Sequence, residues 1–481
     1  MTAAARSGSV LGGRTGLIVL LAVAWVCAFA VTALGSREAM VAVPALAVLL
    51  LASFFYTSLL RRSRVMPVDE IGTWYVGIVV AYIVLPVLTY LALGMEWTPF
   101  NDLRLFLNQP GPEVMAAIGW YFVAYLAAFG AAYLLVRGRT GIPVMVRPHV
   151  SRSVAMATFA VWVMASVGLL VPRLFYDLHA SSYAESYTVL WKLPLLVRQA
   201  FRLAGGVQLI AQLVLLVWVF EDWKKRRVFV FGWLAFEVAQ LVMTAGSRTE
   251  VMLVLVAATV LYHRVVRPVR FWVAASGSVF LLILFMGLGM WRNYQNVQDS
   301  GRLETVATAG EFEAVYATAS DIYQRKAAGE LAHLPPGITV GDMVSFVPSQ
   351  LLPFQKRFLD EWYLSEFYPA LQEAGFGSSF GVVPQSILGL GIADVLLRGL
   401  FVGVLFGALT RWAARRPGRL WPVVLYLWML LFAYQSVRAS TFYVLSSLVQ
   451  HFVPTVVLVE VAAAALRGRS RVRAPEAALA S

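Results

Sequence analysis

The chain has 481 residues, of which 60% are hydrophobic and 14% are charged, and its mean hydropathy is +0.73. This composition excludes an ordinary soluble globular protein, which needs more polar surface than these residues supply. The formal net charge of +13 does not indicate a nucleic-acid partner, because Lys and Arg at cytoplasmic helix ends explain it in a membrane protein. With Cys27 as the single cysteine, an internal disulfide and a thiolate metal cluster are excluded as well.

Apolar runs of membrane-spanning length follow one another along the chain. Backbone polar groups in lipid must be satisfied within the spanning segment, so each run predicts a helix of about 20 residues. The runs cover approximately residues 16–34, 39–60, 72–94, 113–136, 153–171, 200–220, 228–245, 249–263, 271–290, 389–410, 420–437 and 441–466. They predict an all-α polytopic membrane protein with about 12 transmembrane helices.

The chain is organised around a mixed, partly charged stretch at residues 291–388. It separates a first part, residues 1–290 with helices 1–9, from residues 389–481, which hold helices 10–12 and a basic tail. Basic clusters fall on one side of the predicted membrane: Arg61 to Arg64, Arg137 to Arg152, Lys224 to Arg227, Arg264 to Arg270, Arg411 to Arg419 and Arg467 to Arg473. The positive-inside rule then places both termini in the cytoplasm and residues 95–112, 172–199 and 291–388 outside it.

The large extracytoplasmic loop has helical periodicity. Apolar residues recur at i, i+3 and i+4 from Phe312 to Tyr323, which predicts an amphipathic helix that ends at Pro335-Pro336-Gly337. A second amphipathic stretch runs from Phe354 to Leu371, and its aromatic residues suit the bilayer interface or a sugar ring. The aromatic loop at 172–199 is a candidate lid.

Three arginines stand at predicted outward helix ends and are the candidate catalytic residues. Arg248 lies at the tip of a short turn between helices 7 and 8, Arg292 follows helix 9, and Arg438 lies between helices 11 and 12. A single arginine of this kind can simply reach up to lipid headgroups. Three on the face where positive charge is disfavoured instead suggest a pyrophosphate site, because a guanidinium binds phosphate oxygens in pairs. The further substrate-binding candidates are Ser247, Tyr294, Lys356 and Arg357.

Several kinds of chemistry have no motif in the sequence. It contains no GxxxxGK[ST] phosphate loop, no HExxH and no CxxC, and its loops leave no room for a cytoplasmic ATP-binding domain. The large loop also has no histidine cluster or DxD pair. We therefore expect neither a cofactor nor a metal ion.

The arrangement over residues 200–465 resembles the bacterial oligosaccharide repeat-unit polymerases, or Wzy-type O-antigen polymerases. The residues that carry the resemblance are Gly246-Ser247-Arg248, Arg292, Phe346-Val347-Pro348, Pro353, Lys356, Gly377-Ser378-Ser379, Pro384, Gly389, Gly399 and Arg438. The chain departs from the pattern at Leu390, where relatives often carry an acidic residue, and Asp394 is the nearest substitute.

The resemblance implies a metal-independent glycosyltransferase in the bacterial cytoplasmic membrane. It would join polyprenyl-pyrophosphate-linked oligosaccharides at the outer face, for a surface polysaccharide such as O-antigen or exopolysaccharide. A flippase and a chain-length regulator are the protein partners that it suggests. It assigns pyrophosphate contact to Arg248, Arg292 and Arg438, and leaves the general base open among Asp342, Asp360, Glu361 and Glu366.

Two alternatives remain open at this point. An O-antigen ligase would have the same topology, but ligases usually carry a histidine motif after the large loop, whereas this loop contains only His333. A lipid-linked oligosaccharide flippase is a transporter with about as many helices. The sequence shows no internal repeat of the kind expected for two similar halves, and its one long loop also disfavours transport.

Overall fold

The structure is a computed structural model, and it describes residues 35–63, 70–92, 111–138, 149–176, 193–243, 248–267, 269, 273, 276–277, 311–331, 338, 341, 343–347, 351–354, 359–369, 380–416 and 418–479. Regular secondary structure within these residues is helical, without a β-strand. In chain order the helices are α1 Ser36–Ser63, α2 Ile71–Ala92, α3 Pro112–Arg137, α4 Arg152–Phe175, α5 Leu195–Glu221, α6 Trp223–Met243, α7 Arg248–Leu261, α8 Glu311–Ala327, α9 Leu359–Phe367, α10 Val382–Leu388, α11 Ile392–Ala414, α12 Leu420–Phe432, α13 Gln435–Arg438, α14 Tyr443–Ser447 and α15 Val453–Leu479. Single π-helical turns follow α7 at Tyr262–Val266 and α14 at Leu448–Phe452.

Eight of these segments are long and apolar enough to cross a membrane, among the described residues. They are Arg37–Arg62, Ile71–Leu91, Pro112–Arg137, Arg152–Pro172, Leu196–Glu221, Ile392–Ala414, Leu420–Arg438 and Tyr443–Gly468, and each coincides with a predicted span. The chain is therefore an all-α, multi-pass membrane protein. The predicted runs at 228–245 and 249–263 coincide with α6 and α7, whereas 16–34 and most of 271–290 lie outside the described residues. The total of about 12 stays a prediction.

The chain forms two compact units. The first contains Met1–Pro143, Val269–Arg415 and Phe432–Val444; the second contains Val144–Pro268, Arg416–Leu431 and Leu445–Ser481. Helices α12 to α15 are divided between the two units.

The core of the first unit is the close pair α3 and α11. Gly399, Gly403 and Gly407 are spaced four residues apart on α11, so they lie on one helix face. A Cβ at Gly403 would stand 2.5 Å from the Phe129 carbonyl oxygen, and one at Gly399 would stand 2.6 Å from that of Tyr125. The glycines therefore let the two helix backbones touch, as small residues do in membrane helix pairs.

Gly403→Ala is expected to destabilise the protein by about 1–3 kcal/mol, because the helices must separate to admit the methyl group. Thermal unfolding of the purified protein in detergent measures the loss. Gly77→Ala on α2 is the matched control, since its nearest neighbour would be the Tyr56 hydroxyl at 3.6 Å. Equal unfolding temperatures for Gly403→Ala and wild type would contradict this packing.

The amphipathic helix predicted in the large loop is α8, and its apolar face is packed against protein. Val315, Tyr316, Ala319 and Ile322 are buried. The Tyr316 ring stacks on Phe122, and its hydroxyl donates to the Met115 carbonyl at 3.0 Å. The prediction of where the helix ends was wrong: it stops at Ala327, and Gly329 leaves the helical path with φ of +80°.

The second loop helix, α9, also differs from its predicted role. Trp362 and Tyr363 are 9% and 0% exposed, so neither lies in a bilayer interface or presents a face to a sugar. Tyr363 packs against Phe367 and Phe380. These aromatic residues form the loop's own core.

In the second unit, α5 packs against α4, and Gln208 on α5 donates to the Ser166 hydroxyl on α4 at 3.0 Å. Gln208 and Gln212 are 5% and 2% exposed, which confirms that these amides face the helix bundle. The basic run from Lys224 to Arg227 was predicted as a loop, but it forms the start of α6, because a single residue separates α5 from α6.

Candidate functional site

Arg438 is the predicted catalytic residue whose surroundings the structure describes. It ends α13, a single helical turn, and its N–H donates to the Tyr434 carbonyl at 3.1 Å. The residue is half-buried. We call residues 434–442 the Arg438 turn. As predicted, the connection is too short to leave the end of the helix, so the backbone of Arg438 stays at this position.

The other predicted site residues are described less fully or not at all. Arg248 is the first residue of α7, and its side chain lies outside the description. The remaining predicted residues, Ser247, Arg292, Tyr294, Lys356 and Arg357, lie outside the described residues. The convergence of the three arginines therefore stays a prediction.

The short helix α10 supports the Arg438 turn from one side. All of its residues are buried. A Cβ added to Gly381, the residue before α10, would overlap the Val437 carbonyl oxygen. Gly381 has φ of −71°, so glycine is required here for space and not for an unusual backbone conformation. The backbones of α10 and the turn are in direct contact.

A buried polar cluster joins α10, α11 and the turn. Arg398 on α11 is 4% exposed, and its Nε donates to Asp394 Oδ2 at 2.8 Å. Its Nη1 donates to Gln385 Oε1 at 2.9 Å and to the Thr441 hydroxyl at 3.1 Å. We call these four residues the Arg398 cluster. The cluster includes one residue of the turn, Thr441, and Gln385 bonds to the turn as well.

Gln385 makes two further hydrogen bonds to the turn. Its Oε1 accepts from the Thr441 backbone N–H, and its Nε2 donates to the Ala439 carbonyl, both at 3.4 Å. These bonds are long for the N–H···O type. With Thr441 1% and Gln385 3% exposed, they have little competition from water.

The Arg398 cluster cannot itself serve as the phosphate site. The guanidinium faces Asp394, Gln385, Thr441 and the Phe442 ring, whose centroid lies 5.5 Å from Cζ. Asp394 is 5% exposed and paired. The nearest acidic residue to Leu390 is therefore engaged in a buried ion pair and is not placed as a general base.

The beginning of the turn is bonded to a buried tyrosine pair. The Ser436 hydroxyl donates to the Tyr75 hydroxyl at 2.9 Å, and Tyr75 in turn shares a hydrogen bond with Tyr125. All three residues are buried in the first unit. The turn is thus bonded to α2 as well as to α10 and α11.

The loop helices are attached beside this site. Lys326, near the end of α8, donates to the carbonyls of Ile387 and, at 3.3 Å, Gly389. These carbonyls lie at the C-terminal end of α10, where a cation is favoured. Helix α8 is therefore anchored to α10, the helix that contacts the Arg438 turn.

Tyr363 and Tyr368, two described tyrosines of the loop, are not placed as bases. Tyr363 and Tyr368 donate to Asp321 on α8, the latter at 2.7 Å. Burial, and then the nearby Asp321 carboxylate, raise the pKa of Tyr363 well above its ordinary value. Burial likewise raises the pKa of Tyr368, although its hydrogen bond with Arg325 opposes this shift. Both phenols therefore stay protonated and act as donors that hold α9 on α8.

Among the described residues, no group of three or more His, Cys, Asp or Glu side chains could hold a metal ion. Comparisons with protein-family models, curated proteins and solved structures found no match.

Sequence reasoning missed the Arg398 cluster, although a signal for it was present. Asp394 and Arg398 are charged residues within an apolar segment, spaced i and i+4, so they share one helix face. Charges in such a segment avoid lipid and pair inside the protein. The spacing did not identify the hydrogen-bond partners of Arg398, since Gln385 and Thr441 belong to other elements.

Proposed function

We propose that the protein polymerises polyprenyl-pyrophosphate-linked oligosaccharide repeat units at the outer face of a bacterial cytoplasmic membrane. In the reaction an acceptor sugar hydroxyl attacks the anomeric carbon of the donor glycan. The bond from that carbon to the pyrophosphate oxygen breaks, and polyprenyl pyrophosphate leaves with the bonding electrons. The hydroxyl proton passes to a base that is not assigned, or to water.

The observation that carries the proposal is the half-buried Arg438 on a turn bonded to α2, α10 and α11. Charge develops on the leaving pyrophosphate as the glycosidic bond breaks. A fixed cation is effective there because it needs little reorganisation when the charge arises. The attached loop helices α8 and α9 would cover the reacting sugars and limit access of water. Arg248 and Arg292 are proposed as further pyrophosphate ligands.

The proposed orientation, with cytoplasmic termini, predicts the accessibility of single cysteines in a Cys27→Ala background. A cysteine at Ala328, exposed just after α8, should react with a membrane-impermeant thiol reagent in intact cells. A cysteine at Arg419, exposed between α11 and α12, should react only after permeabilisation. The positive-inside rule is the reason for this difference. The reverse pattern would place the Arg438 turn on the cytoplasmic face and remove the proposed reaction from the outer face.

The activity itself is tested with purified protein in liposomes that contain lipid-linked repeat units. The expected product is a ladder of glycans on the lipid that differ by one repeat unit. Because the reaction is proposed to need no metal ion, the ladder should persist in EDTA. Loss of the ladder in EDTA and its return with magnesium would indicate a metal-dependent transferase. Movement of single units across the bilayer without a ladder would indicate a flippase, and glycan transfer only to an added lipid A-type or protein acceptor would indicate a ligase.

A further inference from the structure

We propose that Arg398 is a positioning residue for Arg438: the Arg398 cluster holds the Arg438 turn in the geometry that pyrophosphate binding requires. The inference rests on the proposed function for its consequence in catalysis. Its structural part, that the cluster restrains the turn, stands independently of the reaction.

The bonds of the Arg398 cluster reach the chain directly after Arg438. Arg398 donates to a side chain of the turn, Thr441, and to Gln385, which itself bonds to the backbone on both sides of Ser440. Thr441 is three residues beyond Arg438, and Ala439 is adjacent to it. The cluster therefore restrains the chain immediately after the proposed ligand.

The Arg398 cluster contains more polar groups than packing requires. An apolar core would join α10 and α11 without the cost of burying an ion pair, since such pairs often contribute little net stability. A buried, hydrogen-bonded network specifies one arrangement of its members instead. The Asp394 carboxylate holds Nε of Arg398 at 2.8 Å, so the Nη1 group is directed at Gln385 and Thr441.

The Arg438 turn is too short to hold its own conformation. Its helical part, α13, is a single turn, and a helix of this length is not stable by itself. It follows α12 after two residues, so its position comes from that helix on one side and from tertiary contacts beyond it. Ser436 fixes the beginning of the turn through Tyr75, and the Arg398 cluster fixes the end, so loss of the cluster would free the part that follows Arg438.

The test uses Arg398→Lys, which keeps a buried cation near Asp394 but loses the fork that reaches Gln385 and Thr441 together. Hydrogen–deuterium exchange should show faster exchange in peptides covering 434–442, with peptides of α3 unchanged. Gln385→Met is the second variant, because it removes the side-chain bonds to Ala439 and Thr441 and leaves the Arg398–Asp394 ion pair in place. It should give the same local change even if the lysine variant folds poorly. Arg411→Lys, an exposed arginine on the same helix, is the matched control and should leave exchange unchanged.

The kinetic arm uses the polymerisation assay. Misplacement of a reacting group by about 1 Å costs on the order of 10²-fold in rate, so kcat should fall by about this factor in Arg398→Lys while KM changes little. In an Arg438→Ala background the same substitution should have little further effect, because Arg398 would act only through Arg438. An equal loss in both backgrounds would show a merely structural role and overturn the proposal.

The two arms separate failure of this inference from failure of the proposed function. Unchanged exchange of 434–442 in both Arg398→Lys and Gln385→Met would overturn the positioning role, whatever reaction the protein catalyses. Faster exchange together with full activity in Arg438→Ala would instead overturn the assignment of Arg438, and with it the catalytic consequence, while the restraint on the turn would be upheld.

Discussion

Replacing Arg438 by alanine is expected to lower the rate of polymerisation by about 10²–10³, the loss measured when one comparable donor to developing negative charge is removed. Arg438→Lys should fall between alanine and wild type, because lysine retains the charge but cannot bind two phosphate oxygens at once. The variant should still fold, since Arg438 is half-buried at a helix end and is not in the core. The measurement is the initial rate of ladder formation with purified protein.

The same variant distinguishes an enzyme from a transporter in cells. Arg438→Ala should remove long polymer and leave single lipid-linked units on the outer leaflet, where an added glycosidase can cleave them. A transport defect would retain the units on the cytoplasmic leaflet, out of reach of the glycosidase. Arg415→Ala, an exposed arginine at the end of α11, is the matched control and should make polymer of normal length. Normal polymer length in Arg438→Ala would defeat the assignment.

The transmembrane helices were the most predictable part of the fold, because their signal is local. Each of the eight spans is a continuous apolar run, and lipid leaves the backbone no alternative to a helix. The observed start of a helix differs from the predicted one where a glycine has a non-helical conformation. The span predicted from residue 389 begins as α11 at Ile392, after Gly391 with φ of +65°.

Pairing between distant elements was not predictable from the sequence. Periodicity identified the apolar face of α8, but not that it lies against α3 through Tyr316. The α9 stretch looked amphipathic because charged residues lie between its aromatic residues. The sequence could not show that Tyr363 is buried and donates a hydrogen bond to Asp321. Contacts between residues far apart in sequence decide such cases.

The candidate site was also predictable only in its local features. Arg438 could be placed at a helix end by counting apolar residues on both sides of it. The residues that restrain it come from α2, α10 and α11, and no spacing in the sequence brings them together. Arg137 was likewise predicted only as a basic residue at a cytoplasmic helix end. The sequence did not indicate that it is 0% exposed and paired with Glu70.

The Glu70–Arg137 ion pair is buried at the end of α3. Arg137 Nη2 donates to Glu70 Oε2 at 2.9 Å, and Arg137 Nε and the Tyr133 hydroxyl both donate to Oε1. Tyr133 also shares a hydrogen bond of 3.2 Å with Thr410 on α11. The carboxylate is thus the centre of a network that includes α3 and α11, in a region from which water is excluded.

Glu70→Gln is expected to destabilise the protein by about 3–5 kcal/mol, because it leaves the Arg137 guanidinium buried without a compensating charge. Denaturant unfolding of the purified protein in detergent measures the change in free energy. Glu221→Gln is the matched control. Glu221 is 20% exposed and pairs with His149, which is 84% exposed, and at 3.5 Å with Arg226, which is 26% exposed. Water reaches all three side chains, so loss of the Glu221 charge should cost about 1 kcal/mol or less.

The double variant Glu70→Leu with Arg137→Met separates the charge from the packing. It removes both ions together, and replacing a buried pair by apolar residues of similar size is often neutral or stabilising. We therefore expect it to recover most of the stability that Glu70→Gln loses. If the double variant is as unstable as Glu70→Gln, the cost lies in the hydrogen bonds to Tyr133 and in packing. If Glu70→Gln is no less stable than Glu221→Gln, the pair does not hold this end of the first unit together.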